Sequence, residues 1–251
     1  MAHSATASDD LIQVAADGLA RAADEHLDQP VARYPGWRVR EVVLHTGSVH
    51  RRVASLVHAR AREPNQREDW RGRVTDDALL GWFRDGVSEL LGALAAPADV
   101  AVWYFGGLAP VDAWRQRMVH ETVIHRWDVE SASGRPATIP TGVAISGLHE
   151  AVGLNLVGLL TDPPLEEGLT LHLATTDAEA GSWLVHRSGR LELGEGEAPT
   201  GPAGCTIRGS AADLWLWTIG RRPLPDLEVS GARDAVEELT ARIDALDTPA
   251  Y

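Results

Sequence analysis

Up to about residue 161 the apolar positions recur with the 3.6-residue period of helices, and from about residue 169 the period falls to two. Leu11, Val14, Ala15, Leu19 and Ala22 share one face of a run over 9–28, with Ser8 or Asp9 as its cap and Pro30 and Pro35-Gly36 as its stop. Val39, Val42, Val49, Val53 and Leu56 form a second stripe between Trp37 and about Arg62. The charged, aperiodic stretch 63–73 predicts an exposed loop. Thr75 is placed to cap a third helix carrying Leu79, Trp82, Phe83, Leu90 and Leu94, and VAVWYFGG over 100–107 predicts a short strand-like or irregular connector. Pro110 opens a helix whose stripe passes through Val111, Trp114, Met118, Thr122 and Val129 before Gly134-Arg135-Pro136. A fifth run, about 141–161, carries Val143, Leu148, Val152, Leu156 and Leu159.

Asp162-Pro163-Pro164 marks a boundary between a helical domain, 1–162, and a small α+β domain, 163–251. Beyond it Leu169, Leu171 and Leu173 alternate, then Trp183 and Val185, then Leu191 and Leu193, which predicts strands joined by Gly-rich turns. Cys205 and Ile207 predict a further strand, Ser210 to Arg221 a short helix opened by Ser210 and Asp213, Leu227-Glu228-Val229 another strand, and Ala232 to Leu246 a final helix. Four of the five N-terminal helices are long enough for a bundle, so the fold class is α+β.

Two stripes carry ionisable groups where core residues are expected. Glu121 and His125 stand four apart on one face of their helix, and His45 falls on the valine stripe of the second helix. Such groups need a partner, a shifted pKa or a metal. Glu121 with His125 reads as a buried ion pair, and His45 as a satisfied core histidine; the three together read as a metal site. Two imidazoles and one carboxylate leave a coordination position open, as in catalytic zinc sites. His50 and His58 fall off the stripe, toward solvent. Asp128, one turn beyond His125, reads as a solvated acid near a helix end, with a role beside the metal or as a proton shuttle as the alternative.

Composition narrows the chemistry. The net charge of −13 disfavours nucleic acid and anionic membranes as partners. All 23 basic residues are Arg. No apolar run reaches transmembrane length, and MAHSATASDD lacks the layout of a signal peptide, so a cytoplasmic protein is expected. Cys205 is the single cysteine, which rules out an intrachain disulfide and makes any sulfur chemistry depend on an added thiol. Of nine Trp, four (Trp37, Trp103, Trp114 and Trp127) flank the candidate metal helices, where packing is the expected role. No feature of the sequence indicates an oligomeric state.

The pattern W-x-V-R-E-V-V-x-H over 37–45, the pattern E-T-V-I-H-R-W-D-V-E over 121–130 and L-W-L-W-T-I-G-R-R over 214–222 resemble the mycothiol-dependent maleylpyruvate isomerase family along nearly the whole chain. The resemblance implies an N-terminal DinB-like four-helix bundle and a C-terminal α+β domain like the sterol-carrier folds. It implies that His45, Glu121 and His125 bind zinc, or another divalent metal, and that the thiol cofactor or cosubstrate is mycothiol. The implied reaction is addition of a thiolate to an activated cis double bond, rotation about the resulting single bond, and elimination to the trans product. Partners are then a small-molecule electrophile and a low-molecular-weight thiol. A mycothiol S-transferase, in which addition is not followed by elimination, uses the same site; a noncatalytic metal-binding protein is the reading from another class. The resemblance also points to Arg221, directly after Gly220, as a catalytic arginine reaching from the small domain to a carboxylate at the zinc cleft. The Arg221-Arg222 doublet keeps Arg222 in play for that role. The plainer reading of both is that they complement the dipole of the helix that ends at Gly220.

Overall fold

The computed structural model describes residues 5–65, 72–135, 137–153, 170–179, 182–187, 190–195 and 204–245. The first unit holds four long helices, α1 (Ala5–Ala23), α2 (Val39–His58), α3 (Asp76–Leu94) and α4 (Val111–Ala132). Helix α1 packs on α4, and α2 packs on both α3 and α4. The expected run to residue 28 is shorter at its end, because the chain leaves the helix at Ala23 and passes through a left-handed Glu25 at φ 65°. Helices α2 and α3 approach closely at two glycines: a Cβ at Gly47 would lie 2.4 Å from the Trp82 ring, and one at Gly86 would run into Arg51. Arg115, 3 % exposed, ties α4 to α1 through Asp9 at 3.0 Å and to the end of α3 through the Leu94 carbonyl.

The 100–107 connector is a β-hairpin, β1 (Ala101–Tyr104) paired with β2 (Gly107–Pro110). Its two turn residues, Phe105 at φ 38° and Gly106 at φ 91°, are both left-handed, as a tight hairpin on twisted strands requires. Pro110 stands as the N-cap of α4 rather than inside its first turn. Thr75 occupies the N-cap of α3, although its side chain accepts no backbone N–H; Asp76 and Asp77 supply the negative charge of the first turn.

The second unit begins near Ile139, earlier than the boundary expected at Asp162. The reason is α5 (Thr141–Ala151), which packs on α6 (Ala211–Thr218). Gly147 leaves room there for the Trp215 ring, which a Cβ would meet at 2.4 Å. The unit's sheet has the order β5-β4-β3-β6-β7, built from β3 (Thr170–Thr175), β4 (Ser182–Arg187), β5 (Arg190–Glu195), β6 (Gly204–Gly209) and β7 (Glu228–Gly231). Strands β3 and β6 are parallel and the other pairs antiparallel. Leu171, Leu173, Cys205 and Ile207 are buried in it, beside Leu214, Trp215 and Trp217 of α6 and Val236, Leu239 and Ile243 of α7 (Arg233–Asp244). Ser210 caps α6: its hydroxyl accepts from the Asp213 N–H at 3.0 Å and donates to the Asp213 carboxylate at 2.7 Å. Leu169, the end of the 141–161 run with Leu156 and Leu159, and Asp162-Pro163-Pro164 lie outside the described residues. No helix among the described residues is long and apolar enough to cross a membrane.

Candidate metal centre

Helix α4 is the middle of the first unit. Every residue from Met118 to His125 is buried, so it has no solvent face over two turns. Four of those eight residues are nonetheless polar or ionisable: His120, Glu121, Thr122 and His125. Each needs a partner inside the bundle.

Glu121 and His125 find theirs on α2 and on α4 itself. Glu121 Oε1 lies 3.1 Å from His45 Nε2 and 3.2 Å from His125 Nε2, so two imidazole nitrogens converge on one carboxylate oxygen. The two imidazole rings stand 5.0 Å apart, edge to face at 77°. One atom each from His45, Glu121 and His125 lies within 4.8 Å of the others. Donor atoms on a tetrahedral ion with bonds of about 2.0 Å are separated by about 3.3 Å, so the trio fits a zinc-like ion.

The outer atoms of the trio are also held. Arg117, one turn before Glu121, donates to Glu121 Oε2 at 2.7 Å. Asp128 Oδ2 accepts from His125 Nδ1 at 2.9 Å, which leaves His125 Nε2 to face the trio. Asp128 is 2 % exposed, so the expectation of a solvated helix-end acid is corrected: α4 runs on to Ala132 and keeps it inside.

Burial and neighbours set the protonation of the trio. Burial alone would raise Glu121, but Arg117 and His125 beside it hold the carboxyl well below its usual range. Burial pushes His125 down, and Glu121 and Asp128 outweigh that, so His125 is raised. His45 is lowered, chiefly by burial, with Glu121 offsetting part of the effect.

The loop before α2 walls one side of the trio. Pro35 and Gly36, at φ 83°, make a turn closed by the Trp37 N–H on the Tyr34 carbonyl at 2.9 Å, the arrangement that a Pro-Gly pair favours. The Trp37 ring lies 5.5 Å from His45, and Tyr34 lies 6.2 Å from His125 and 4.9 Å from Trp37. Of the other three tryptophans expected to flank the metal helices, Trp103 and Trp114 pack with Phe105 of the hairpin, and Trp127 is half-buried.

The three residues expected from the helical stripes lie together in the structure; of the groups that hold them, Asp128 was named only as the alternative to a solvated acid and Arg117 was not named. Arg117 was legible as an i,i+4 partner of Glu121. His50, expected toward solvent, is fully buried; α2 packs on two helices, so its inward face is wider than one stripe. His58 is exposed, as expected. Arg221 and Arg222 follow Gly220, at φ 69°, in the second unit. Arg222 pairs with Asp213 at 2.6 Å and Asp226 at 3.5 Å, while Arg221 Nη1 donates to the Ile219 carbonyl at 3.2 Å.

Two family models match the chain: "Mycothiol maleylpyruvate isomerase N-terminal domain" over residues 9–130 and "MDMPI C-terminal domain" over residues 143–238. No curated protein matches it. Among solved structures, the fold is similar to that of a mycothiol-dependent maleylpyruvate isomerase, with TM-score 0.65 and 16% identity over 91% of this chain and 93% of that one. It is equally similar to a histidine-to-alanine mutant of such an isomerase, with TM-score 0.63 over the same shares of both chains. By both of its domains, this chain belongs to the mycothiol maleylpyruvate isomerase family.

Proposed function

We propose that this chain is a zinc-dependent enzyme that uses mycothiol to convert an activated cis double bond, of maleylpyruvate type, to the trans isomer. The observation that carries the reading is the convergence of His45 and His125 on one oxygen of Glu121, inside the domain that matches the family. A buried ion pair would call for one imidazole on that oxygen; a three-ligand metal site calls for both. Bound by the three, a divalent ion would supply an open position for a thiol and lower the pKa of its sulfur.

The chain's own residues prepare that position. Asp128 keeps a proton on His125 Nδ1, so the ligand nitrogen is Nε2. Arg117 occupies Glu121 Oε2 and helps keep the carboxylate ionised. Tyr34 and Trp37 stand against the two histidines and reduce the access of water. Cys205 is buried in β6, and burial raises its thiol pKa, which suits a structural role and an external thiol as the nucleophile. Arg221 is proposed as the bidentate partner of a carboxylate on the electrophile or the thiol.

The test is to measure the metal content of the purified protein and then to supply mycothiol with maleylpyruvate. The expected results are about one zinc per chain and a trans product with the thiol recovered. A thioether product instead would mean S-transfer, and a metal-free, inactive protein would overturn the reading.

A further inference from the structure

We infer that the hydrogen bond from His50 to Thr122 is a brace between α2 and α4 that sets the spacing of the metal ligands, which makes His50 a positioning residue. This rests on the metal reading above. The ligands come from two helices, His45 from α2 and Glu121 with His125 from α4, so the site is only as well defined as the offset between those helices. His50 is fully buried on α2, and its Nε2 lies 2.9 Å from Thr122 Oγ1. Thr122 is the residue after Glu121, on the same turn of α4.

The proton positions follow from the network. The Thr122 hydroxyl donates its one proton to the Met118 carbonyl at 2.7 Å, so it must accept from His50. His50 therefore carries its proton on Nε2, and Nδ1 is a bare lone pair with no hydrogen-bond partner among the described residues. The ring lies 5.8 Å from Phe83. An apolar side chain would pack there without burying an orphan acceptor, so core packing does not account for a histidine. A directional donor aimed at the residue beside Glu121 does. Anchoring Thr122 fixes the rotation and height of α4 at the turn that presents both of its ligands.

The test uses the full-length protein, with zinc affinity measured by competition against a chromogenic chelator, and the visible spectrum of the Co(II)-substituted form as a report on coordination geometry. His50→Phe removes the donor and keeps bulk; Thr122→Val removes the acceptor at nearly constant shape. Each is expected to weaken zinc binding about tenfold or more and to alter the Co(II) spectrum. The melting temperature of the chelated protein should be unchanged or raised in His50→Phe and lowered in Thr122→Val, which leaves the His50 Nε2–H without an acceptor. His50→Gln, which can offer an N–H at a similar reach, is expected to restore affinity to within about threefold of the parent. If His50→Phe fails to fold, Thr122→Val decides alone. Parent-like zinc affinity and Co(II) spectra in the folded variants overturn the brace and leave the metal reading standing. Weakened binding that His50→Gln does not restore also overturns it, since the effect is then packing. A parent protein that binds no zinc fails the metal reading, and the brace with it.

Discussion

The two units bury different things. The first unit encloses His50, Arg115, His120, Glu121, His125 and Asp128, whereas among the side chains described in the second unit the buried polar ones are Thr170 and Thr218. Desolvating a charge is costly unless partners repay it, so a domain that needed only stability would look like the second. The first unit instead places a carboxylate and two imidazoles on facing helices and surrounds them with Arg117 and Asp128. On the proposed function, this costly burial is what holds the metal, and substitutions in the two units should then act differently.

The largest effect is expected at the trio. His45→Ala, Glu121→Ala and His125→Ala should each bring zinc content close to zero and activity to the uncatalysed background. The bundle should stay folded, because α1, α3 and the rest of α4 keep their apolar contacts. Metal analysis with far-UV circular dichroism checks both halves. Full zinc occupancy in all three variants would place the metal elsewhere and remove the reason for the polar interior.

The second unit should answer differently. Arg221→Lys keeps the charge and loses the two-pronged donor geometry, so a carboxylate clamp predicts a fall of about 10- to 100-fold in kcat/KM with zinc content unchanged. Arg222→Lys disturbs the pairs with Asp213 and Asp226, which are partly exposed, and should cost roughly 0–1 kcal/mol of stability with little change in kcat/KM. Steady-state kinetics beside thermal melts separates the two. Near-normal kcat/KM in both variants would leave only a structural role for the doublet and confine the chemistry to the first unit.

A smaller effect should appear in the acid stability of the metal-free protein. Burial depresses the His50 pKa from 6.5 to about 3. The unfolded chain binds a proton at this position below about pH 6.5 and the folded chain does not until about pH 3. The His50 contribution to stability is therefore present above pH 6.5 and lost as the pH falls through that window. The slope is up to about 1.4 kcal/mol per pH unit for one proton. His50→Phe has no such proton, so its chelated form should lose stability less steeply between pH 6 and pH 4. Equal slopes in denaturant titrations of parent and variant would mean that His50 is not buried neutral.

What the sequence allowed to be read follows the same division. His45, Glu121 and His125 were legible because each interrupts an apolar stripe at helical spacing, a conflict visible in one dimension. The burial of His50 and Asp128 was not. A stripe marks the face toward one neighbour, whereas α2 has two and α4 is enclosed over two turns, so residues off the stripe are buried as well. The hairpin escaped notice because Phe105-Gly106 is not one of the Asn-Gly or Asp-Gly pairs that announce such turns. The period-two alternation of Leu171 with Leu173 and of Cys205 with Ile207 was enough for two strands of the second sheet, and their parallel pairing is a long-range fact that no local pattern carries. Helix α5 was placed in the helical domain because its period matches, while its partner, the Trp215 face of α6, stands far along the chain from Gly147.

The smallest expected effect on activity is at Cys205, and it tests the contrast from the other side. Its thiol is 1 % exposed in β6, paired in register with Gly231, and burial raises its pKa, so at neutral pH it is a small apolar group rather than a nucleophile. If the sulfur of the reaction comes from mycothiol, Cys205→Ser should keep kcat/KM within about twofold when mycothiol is supplied. Its cost should fall on stability, about 1–3 kcal/mol for a buried hydroxyl without a partner. Isotopically labelled mycothiol would then be recovered unchanged beside the isomer, in the variant as in the parent. A folded Cys205→Ser protein that holds its zinc and has lost the reaction would place the nucleophile in the second unit. The polar interior of the bundle would then have a purpose other than holding the metal that activates an added thiol.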